Sequence, residues 1–590
     1  MIRNDRYGSL SDMSNLEHKR HTLAHLLAAA VLKHRPDAKR AIGPAIDDGF
    51  YFDFEFSSPL REEDLPAIEE EMRKILPTWT STTEERLSVA EAKAEYPDNP
   101  YKHELIDEFS KDSDTLSFYR TGEYRDLCRG GHIDNPAKDI SPDSFKLDRV
   151  AGAYWRGDEK NQMLTRVYGL AFDTKAELDA YLNQREEAKK RDHRKLGKEL
   201  GLFTFSELVG AGLPLYTPKG TILREELASF SEKLQKERGF EKVWIPHITK
   251  IDLYKKSGHW DKFGDELMLV KSQESNDEFA LKPMNCPHHT QIYASEPRSY
   301  RDLPVRFMET TTCYRDEKTG ELSGLTRVRS LTQDDGHIFC RPDQVEAEFE
   351  SIMSMIKTLY STLGMEFKAR LSFSDPNNMD KYLGDRENWK TAEESIEKIA
   401  KKLGLTYEIA PGEAAFYGPK IDIMVIDALG REWQCATQQL DFVQPARFEL
   451  EYTDSDGSKK TPVMIHKALL GTIDRFLGVY IEHTAGNFPL WLSPIQARVL
   501  PVSEKHAEYA REVMNALKAE GLRAEMDDSS ESLGKRIRNA KMQKAFYVFV
   551  VGEKEVAEKT VTIEGREGSL GAMSLDQAVS VLREKKETKG

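Results

Sequence analysis

Three arginines lie on a stretch of sequence that is predicted to form one long β-hairpin. Arg315 follows a run of β-branched and aromatic residues at 305–314, and a second strand-like run at 326–340 carries Arg327 and Arg329. The chain between the runs is charged and contains two glycines, which indicates a loop. Arginines on facing strands suit a polyphosphate, because the guanidinium group is permanently charged and binds oxygens in pairs. A solvated hairpin with surface ion pairs is equally compatible with the spacing alone.

Two histidine-containing pairs lie in the first quarter of the chain. His21 and His25 are four residues apart and therefore share one face of a predicted helix. Cys128 and His132 form a second pair with the same spacing. Together the four side chains suit either a zinc site with nitrogen and sulfur ligands or a hydrolytic pocket with imidazole acid and base groups. The alternative is two buried core histidines and an unrelated cysteine.

The composition indicates a large, water-soluble, multidomain protein. The 590 residues imply three or four domains, with 39% hydrophobic and 31% charged residues. The first ten residues contain no apolar stretch typical of a signal peptide, and the longest apolar run, 23–32, is too short to cross a bilayer. Five cysteines without a CxxC pair favour a reducing compartment, so we expect a cytoplasmic protein without membrane attachment. The net charge of −15 neither indicates nor excludes RNA binding, because a basic patch can be local.

Two other regions have sequence patterns that predict their structure. Residues 176–200 alternate charges with scattered apolar side chains, which predicts a solvated linker helix. From Pro494 the pattern is β-α-β-α, and the apolar run 546–551 predicts a strand that is buried on both faces. A basic helix face within this segment suits the phosphates of RNA. Its cations are Lys535, Arg536, Arg538, Lys541 and Lys544.

Several of these segments resemble a known family. Arg315-Asp-Glu317 resembles motif 2 of the class II aminoacyl-tRNA synthetases. Residues 324–329 (GLTRVR) and 333–337 (QDDGH) are similar to segments of the threonyl-tRNA synthetases among them, and 462–476 resembles motif 3. The resemblance extends from about His21 to the C-terminus. It implies an α+β multidomain fold, with a class II antiparallel-sheet catalytic core flanked by an N-terminal α/β editing domain and a C-terminal α/β anticodon-binding domain.

The resemblance also implies the boundaries of the domains. We expect a polar tail at 1–15, an editing domain at 16–173, a linker helix at 174–200, a catalytic domain at 201–492 and an anticodon-binding domain at 493–590. Bacterial members of the family begin with a further small β-rich domain. Since only some 20 residues precede the first histidine pair, we expect that domain to be missing, without a direct effect on catalysis.

The resemblance implies a metal site that spacing would not suggest. Family members bind one Zn²⁺ per subunit through a cysteine and two histidines, which match Cys286, His337 and His466. Three ligands leave zinc an open position; in the family, threonine fills it with its amino nitrogen and hydroxyl, and Asp335 would accept a hydrogen bond from that hydroxyl. Valine lacks the hydroxyl and would be rejected by roughly 10⁴-fold or more, whereas serine lacks only a methyl group worth about 1–3 kcal/mol. Serine would therefore leak through and need a second, hydrolytic site.

The remaining site residues follow from the matched motifs. The resemblance implies that Arg315 binds the α-phosphate of ATP and Arg475 the γ-phosphate, with Mg²⁺ between the phosphates. It also implies a set of residues that bind substrate or ATP: Met284, Glu317, Arg327, Gln333, Asp335, Tyr417, Lys420, Gln434, Gln439 and Thr472. At motif 3, Gly471 would let the backbone approach a ligand. Leu331 stands where the family has a phenylalanine that stacks on adenine, so we expect a higher ATP requirement.

The first-quarter motifs resemble the family's editing domain, which hydrolyses seryl-tRNA. The resemblance implies an editing site formed by His21, His25, Lys102, Asp126, Cys128 and His132. Gly131 stands where the family has proline, which predicts a more flexible loop beside His132. For contacts to tRNA the resemblance favours Lys535, Arg538 and Arg566.

The resulting functional hypothesis is a ligase. The chain would join L-threonine to tRNA(Thr) through threonyl-adenylate, converting ATP to AMP and pyrophosphate, and would edit seryl-tRNA(Thr); it would work as a homodimer. A relative of the prolyl-tRNA synthetases would share the fold but have no use for the Cys–His–His set. A non-catalytic RNA-binding regulator would be expected to lack an arginine of motif 2 or motif 3, and both are present.

Overall fold

The computed structural model describes residues 14–111, 113–566 and 568–589. The predicted polar tail, 1–15, lies almost wholly outside these residues. The chain divides into two compact units, residues 1–186 and residues 187–590. Each unit is described here by itself.

The N-terminal unit combines short helices with two antiparallel sheets. Its helices are α1 (Asn15–His34), α2 (Leu65–Ile75), α3 (Val89–Ala94), α4 (Pro100–Phe109) and α5 (Pro136–Asp139). Its strands are β1 (Lys39–Arg40), β2 (Ala45–Ile46), β3 (Gly49–Glu55), β4 (Thr82–Ser88), β5 (Thr115–Thr121), β6 (Tyr124–Leu127), β7 (Phe145–Tyr154) and β8 (Met163–Ala171). One sheet has the order β1-β3-β8-β7, with β2 beside β3, and the other has the order β4-β5-β6.

Helix α1 is the central element of this unit. Ser14 caps its N-terminus, because the serine hydroxyl accepts the Glu17 N–H while the Glu17 carboxylate accepts the Ser14 N–H. Leu23, Leu27 and Val31 are fully buried and belong to one core with the phenylalanines of β3. Because this apolar face packs on the sheet, the helix presents its histidines from a fixed backbone.

The predicted linker helix is two helices rather than one. Helix α6 (Lys175–Arg191) crosses the boundary between the units and ends before Asp192, and α7 (His193–Leu200) follows at once. Asp192 begins α7, because its carboxylate accepts the Arg194 N–H in an N-cap. The prediction of one continuous helix over 174–200 is therefore wrong at this residue.

The C-terminal unit begins with the elements of the catalytic segment. The helices after α7 are α8 (Pro218–Lys236), α9 (Ile251–Ser257), α10 (His259–Phe263), α11 (Cys286–Ala294), α12 (Val345–Thr362), α13 (Arg386–Lys402), α14 (Val443–Arg447) and α15 (Ile473–Thr484). The strands are β9 (Phe203–Thr204), β10 (Leu215–Tyr216), β11 (Glu241–Lys242), β12 (Ile248–Lys250), β13 (Leu269–Lys271), β14 (Glu278–Leu281), β15 (Val305–Tyr314), β16 (Ser330–Cys340), β17 (Glu366–Phe373), β18 (Tyr407–Pro411), β19 (Lys420–Ile426), β20 (Glu432–Asp441), β21 (Tyr452–Thr453), β22 (Lys459–Lys460) and β23 (Val463–Thr472).

An eight-stranded sheet carries the site. Its order is β11-β15-β16-β23-β20-β19-β17-β18, and it is antiparallel except for the pairs at its two edges. Phe349, Ile352 and Ile356 recur at helical spacing on α12 and are fully buried in the core shared with the sheet. The helices α8 and α15 also contribute buried leucines to this core, so the central strands β16, β23 and β20 are rigidly supported.

The predicted hairpin is present with a longer tip. Strand β15 has the predicted bounds, but the returning strand β16 begins at Ser330 rather than at residue 326. The tip therefore spans residues 315–329, and the prediction that Arg327 and Arg329 lie on the returning strand is wrong. Glu317 causes this, because its carboxylate accepts from Arg327 and its carbonyl accepts from Arg329, which closes the tip on itself.

Two bulges break the regular pairing beside the site. Between the pairs Gln333–Thr472 and Asp335–Ala468, β23 carries two residues more than β16. The Asp334 carboxylate fills this bulge and accepts the N–H groups of residues 469, 470 and 471, together with the Ser231 hydroxyl. A second bulge lies in β20, where Ala436 pairs with Ile423 but Gln434 pairs with Met424.

Gly471 belongs to the first of these bulges. Its φ is +72°, and a Cβ on this residue would lie 2.1 Å from the carbonyl oxygen of Cys435. The close approach that requires glycine is thus to the neighbouring strand. The expectation that Gly471 also lets the backbone approach a ligand stays a prediction.

The C-terminal segment forms a separate sheet with helices on its faces. Its elements are β24 (Ala497–Pro501), α16 (Ala507–Ala519), β25 (Ala524–Met526), α17 (Leu533–Met542), β26 (Tyr547–Val551), α18 (Glu553–Glu558), β27 (Thr560–Gly565), β28 (Gly568–Ser574) and α19 (Leu575–Thr588). The sheet order is β25-β24-β26-β27-β28. As predicted, the 546–551 region gives a central, buried strand. Within the described ranges, no helix is both long enough and apolar enough to cross a bilayer.

Candidate functional site

Three distant side chains converge at one end of the large sheet. His337 on β16 and His466 on β23 lie directly opposite each other in the strand register, and Cys286 is the first residue of α11. All three are buried, and one potential ligand atom from each lies within 4.8 Å of the others. One thiol and two imidazoles in this arrangement are a donor set that zinc prefers.

Each potential ligand has a hydrogen-bonding partner behind it. Asp441 Oδ2 lies 2.8 Å from His466 Nε2, and His289 Nδ1 lies 2.8 Å from His337 Nδ1. Gln444 Nε2 donates to the Cys286 sulfur at 3.7 Å. These contacts use one nitrogen of each imidazole and leave the other for a metal, which is the arrangement that orients metal-binding histidines.

Sequence reasoning missed these supporting residues. His288 and His289 are adjacent in the chain, and both lie on helix α11. His289 lies three residues after Cys286 and therefore shares its helical face. That spacing was a usable signal for His289, whereas Asp441 and Gln444 are brought in only by the tertiary fold.

Asp335 and Tyr417 lie beside the cluster. Asp335 Oδ1 is 3.8 Å from His337 Nε2, and Asn285 Nδ2 donates to Asp335 Oδ2 at 2.9 Å. The Tyr417 ring centroid lies 5.0 Å from that of His466. Tyr417 is in a turn before β19, and burial raises the pKa of its hydroxyl well above the usual range.

A cluster of arginines lies at the other end of the hairpin. Burial lowers the pKa of Arg475, and nearby Arg315 and Arg327 lower it further. Among the described residues, the buried Nε of Arg315 has no hydrogen-bond partner. A buried cationic nitrogen without an acceptor is costly, so this cluster suits a polyanionic ligand. Arg475 Nε donates to the Thr326 carbonyl, which joins α15 to the tip of the hairpin.

The other predicted ATP and substrate residues lie along the central strands. Gln333 and Thr472 are paired opposite each other at the bulge of β23, and Met284 packs in the core beside Cys286. Lys420 pairs opposite Gln439 and forms an ion pair with Asp422, 2.5 Å away. Arg327 binds Glu317 and Glu321.

The bulge in β20 changes which face Gln434 occupies. Strict alternation would put Gln434 and Gln439 on opposite faces, because they are five residues apart. The extra residue at the bulge shifts the register, so both side chains lie on the same face of the sheet. Leu331 on β16 is buried with Cys313 of β15, opposite it, and with Val328 of the hairpin tip.

A second cluster lies in the N-terminal unit, on α1 and on the loop after β6. Its potential ligand atoms also lie within 4.8 Å of one another: they belong to His21, His25, Cys128 and His132. The Cys128 sulfur is 3.5 Å from His21 Nε2 and 3.2 Å from His132 Nε2. His21 Nδ1 donates to the Gly131 carbonyl at 3.2 Å, so its Nε2 carries the lone pair. Burial lowers the pKa of His21 to about 4, so the imidazole is neutral near pH 7.

A buried ion pair supports this cluster. Lys102 Nζ lies 2.8 Å from Asp126 Oδ1, and the hydroxyls of Tyr96 and Tyr124 also donate to the Asp126 carboxylate. Burial raises the pKa of Asp126, but Lys102 and then Arg40 outweigh it and bring the pKa below its ordinary value. Asp126 is therefore a fully hydrogen-bonded anion within the pocket.

Two glycines in the loop before His132 have left-handed backbone conformations. Gly131 has a φ of +82° and Gly130 a φ of +108°, so both residues have a left-handed backbone conformation. The Gly131 carbonyl accepts the hydrogen bond from His21. Proline cannot adopt this conformation, because its ring fixes φ near −65°. Glycine is therefore required by this particular loop path.

The predicted basic helix face is narrower than expected. On α17, Lys535, Arg538 and Lys541 are exposed at three-residue spacing. Arg536 is buried and donates to two backbone carbonyls, so it is not part of that face. Arg566, in the turn between β27 and β28, likewise donates to the carbonyls of Phe488 and Lys544 and to the Ser493 hydroxyl, so it holds the segment between α15 and β24.

Comparisons with known proteins agree with this geometry. Residues 268–484 match the family described as the tRNA synthetase class II core domain (G, H, P, S and T), and residues 496–585 match the anticodon binding domain family. A solved structure of the RNA binding domain of threonyl-tRNA synthetase from Cryptosporidium parvum superposes with a TM-score of 0.64 and 39% identity, covering 67% of this chain and 98% of that one. The eight-stranded sheet, the arginine hairpin and these matches define a class II aminoacyl-tRNA synthetase.

Relatives that match over most of their length identify the family within this class. The chain is 49% identical over 586 residues to threonine–tRNA ligase of Gloeobacter violaceus, covering 98% of this chain and 93% of the relative. It is 50% identical over 573 residues to threonine–tRNA ligase of Thermus thermophilus, covering 94% and 86%. The chain belongs to the threonine–tRNA ligase family.

Proposed function

We propose that the chain ligates L-threonine to tRNA(Thr) in two steps in the C-terminal unit. The threonine carboxylate attacks the α-phosphorus of ATP, the bond to the β-phosphate oxygen breaks, and pyrophosphate leaves. A hydroxyl at the 3′ end of the tRNA then attacks the carbonyl carbon of threonyl-adenylate, and AMP leaves. The observation that carries this proposal is the buried Arg315 Nε, which has no hydrogen-bond partner among the described residues and lies in a cluster with Arg475. The same hairpin carries His337 of the Cys286–His337–His466 set.

The two arginines act by positioning and charge neutralisation. Arg315 binds the α-phosphate, where charge builds up as the carboxylate attacks, and Arg475 binds the γ-phosphate. Gln333, Glu317, Arg327 and Thr472 line the nucleotide cavity around them. Mg²⁺, when bound with ATP, neutralises charge between the phosphates.

The buried Cys–His–His set selects the amino acid. Zn²⁺, when bound by Cys286, His337 and His466, offers an open position to the amino nitrogen and hydroxyl of threonine. Asp335 lies beside His337 and accepts the hydrogen bond of the threonine hydroxyl. Because valine has no hydroxyl to donate a hydrogen bond to this carboxylate, the site discriminates against it. Met284, Tyr417, Lys420, Gln434 and Gln439 complete the pocket.

The N-terminal cluster hydrolyses seryl-tRNA(Thr). His21 presents a neutral imidazole with its lone pair at Nε2, which can accept a proton from the attacking water. Lys102, held by Asp126, supplies a positive charge near the pocket for the oxyanion that forms at the ester carbonyl. His25, Cys128 and His132 shape this pocket and orient the water.

The same family assignment suggests the partners and the compartment. The exposed row Lys535, Arg538 and Lys541 supports contacts to tRNA phosphates. The family assignment also favours a homodimer, and Trp244, just after β11, is 77% exposed and available for a subunit interface. We place the enzyme in the cytoplasm, where tRNA and ATP are available.

Metal content and ATP–pyrophosphate exchange test the proposal together. The purified protein should contain about one zinc per chain and catalyse exchange only with threonine. Cys286→Ser should lose both properties. Cys340→Ser, on β16 but outside the cluster, is the matched control and should keep the zinc. Exchange that is absent or independent of threonine, or zinc that persists in Cys286→Ser, would contradict the proposal.

A further inference from the structure

His193 is a buried histidine that none of the proposed reaction steps uses. It is the first residue of α7 and is 4% exposed. Its Nδ1 lies 2.7 Å from Glu482 Oε1 on α15, and its Nε2 lies 3.0 Å from the backbone N–H of Leu325 in the hairpin tip. A single imidazole thus joins α7, α15 and the tip.

The two contacts fix the tautomer of His193. A carboxylate oxygen only accepts and a backbone N–H only donates, so Nδ1 carries the proton and Nε2 carries the lone pair. Both nitrogens are used by protein groups, which excludes a metal at the neighbouring Asp192–His193–Glu482 cluster without breaking these bonds. Glu482 also binds Arg431, so the carboxylate is held from a second side.

The tip is fitted to the His193 ring. Gly324 has a φ of +50°, and a Cβ there would lie 2.2 Å from His193 Nε2. On the other side, a Cβ at Gly478 of α15 would lie 3.3 Å from Leu325 and 3.5 Å from the ring of His193. The tip backbone at Gly324 therefore has no space for a side chain beside the ring, and α15 packs closely on the tip at Gly478.

The same stretch of tip backbone contacts the motif 3 arginine. Leu325 donates its N–H to His193, and the next residue, Thr326, accepts the Nε–H of Arg475 with its carbonyl oxygen. Arg327 follows directly and lies within the arginine cluster. Displacement of residues 325–326 would therefore move the carbonyl that accepts from Arg475, and with it the backbone of Arg327.

We propose that His193 is a positioning residue for ATP: it holds the hairpin tip so that Arg327 and Arg475 are arranged for the phosphates before ATP binds. The inference rests on the proposed binding of ATP at this cluster. If only a fraction of the molecules has the binding-competent arrangement, the apparent Kd for the ligand is the intrinsic Kd divided by that fraction. The threonine pocket, at the far end of β16, should not be affected.

Two substitutions separate the two hydrogen bonds. The amide of His193→Asn lies where Nδ1 was and can donate to Glu482, but it is too short to accept from Leu325. The carbonyl oxygen of His193→Gln reaches the position of Nε2 and can accept from Leu325. His483→Ala, the next residue after Glu482 and without a contact to the tip, is the control.

We expect His193→Asn to raise KM for ATP in pyrophosphate exchange by about tenfold, the size of one buried donor left without its acceptor. KM for threonine should stay within about twofold, and His193→Gln should restore most of the ATP affinity. Unchanged KM for ATP in His193→Asn, equal rises for both substrates, or no rescue by glutamine would overturn the inference.

A measurement made without substrates tests the role of His193 separately from the proposed ligase reaction. Hydrogen exchange of the tip amides, residues 318–330, should be faster in His193→Asn than in wild type, and close to wild type in His193→Gln and His483→Ala. If wild type shows no threonine-dependent exchange of pyrophosphate, the proposed function fails, and amide exchange still decides the role of His193 in holding the tip. Identical tip exchange in all four proteins would refute that role.

Discussion

At the scale of single residues, His289 determines how His337 can act. Its Nδ1 is 2.8 Å from His337 Nδ1, and both rings are buried. We expect His289→Ala to weaken zinc binding by about 10–100-fold, the usual effect of losing a hydrogen-bonding partner behind a metal ligand. Competition with a zinc chelator measures this.

The neighbouring histidine provides the control. His288 is also buried on α11, but neither of its ring nitrogens has a hydrogen-bond partner among the described residues. His288→Ala should therefore leave the zinc affinity close to that of wild type. Equal losses in the two variants would mean that packing of α11, not the bond to His337, is responsible.

The sequence alone could reach some residues of the site but not others. Arg315 and the pairs His21–His25 and Cys128–His132 are recognisable because local spacing brings their chemistry together. Cys286, His337 and His466 are far apart in the chain, so only resemblance to a family named them. Their supporting partners Asp441 and Gln444 gave no signal, because strand pairing across the sheet determines those contacts.

At the scale of elements, Asp334 stabilises the bulge that aligns β16 with β23. Its buried carboxylate accepts three consecutive backbone N–H groups. Asp334→Asn replaces one acceptor oxygen with a donor, so we expect a loss of about 3 kcal/mol of unfolding free energy and of most pyrophosphate exchange. Chemical denaturation and exchange assays would measure the two effects.

Ser231→Ala is the matched comparison for that bulge. It removes the hydroxyl that donates to Asp334 but leaves the three backbone donors satisfied. Ser231→Ala should lower the free energy of unfolding by only about 1 kcal/mol, the net value of one hydrogen bond. If both variants were destabilised equally, the bulge would not depend on the charged acceptor.

The elements were predictable where their patterns are local. Strand β15 has its predicted bounds because β-branched and aromatic residues fill it without interruption. The end of the hairpin tip was misplaced, because Glu317 and the backbone of the tip hold Arg327 and Arg329 outside the strand. The break between α6 and α7 carried a signal, since Asp192 is a favourable N-cap, but charged periodicity continues across it.

At the scale of the whole molecule, the two clusters belong to different compact units with separate cores. Editing and ligation should therefore be separable. We expect His25→Ala to lower deacylation of seryl-tRNA(Thr) by about 10²-fold or more and to leave threonine-dependent pyrophosphate exchange unchanged. Deacylation of preformed seryl-tRNA(Thr) and exchange assays are the measurements.

His34→Ala tests whether any histidine of α1 would have the same effect. His34 lies in the last turn of that helix and is exposed, outside the cluster. The His34→Ala variant should deacylate seryl-tRNA(Thr) at the rate of wild type. A parallel loss of exchange in His25→Ala would show that the units do not act independently, and equal deacylation by both variants would remove His25 from the hydrolytic site.

The direct pairing of His337 with His466 has a practical consequence for anyone preparing this enzyme. A slip of one residue between β16 and β23 would turn one imidazole to the opposite side of the sheet, so a misaligned chain could not form the three-ligand set. Metal content then becomes a quality gauge: the zinc-to-protein ratio of a batch should track the share of molecules whose central strands closed in the correct alignment.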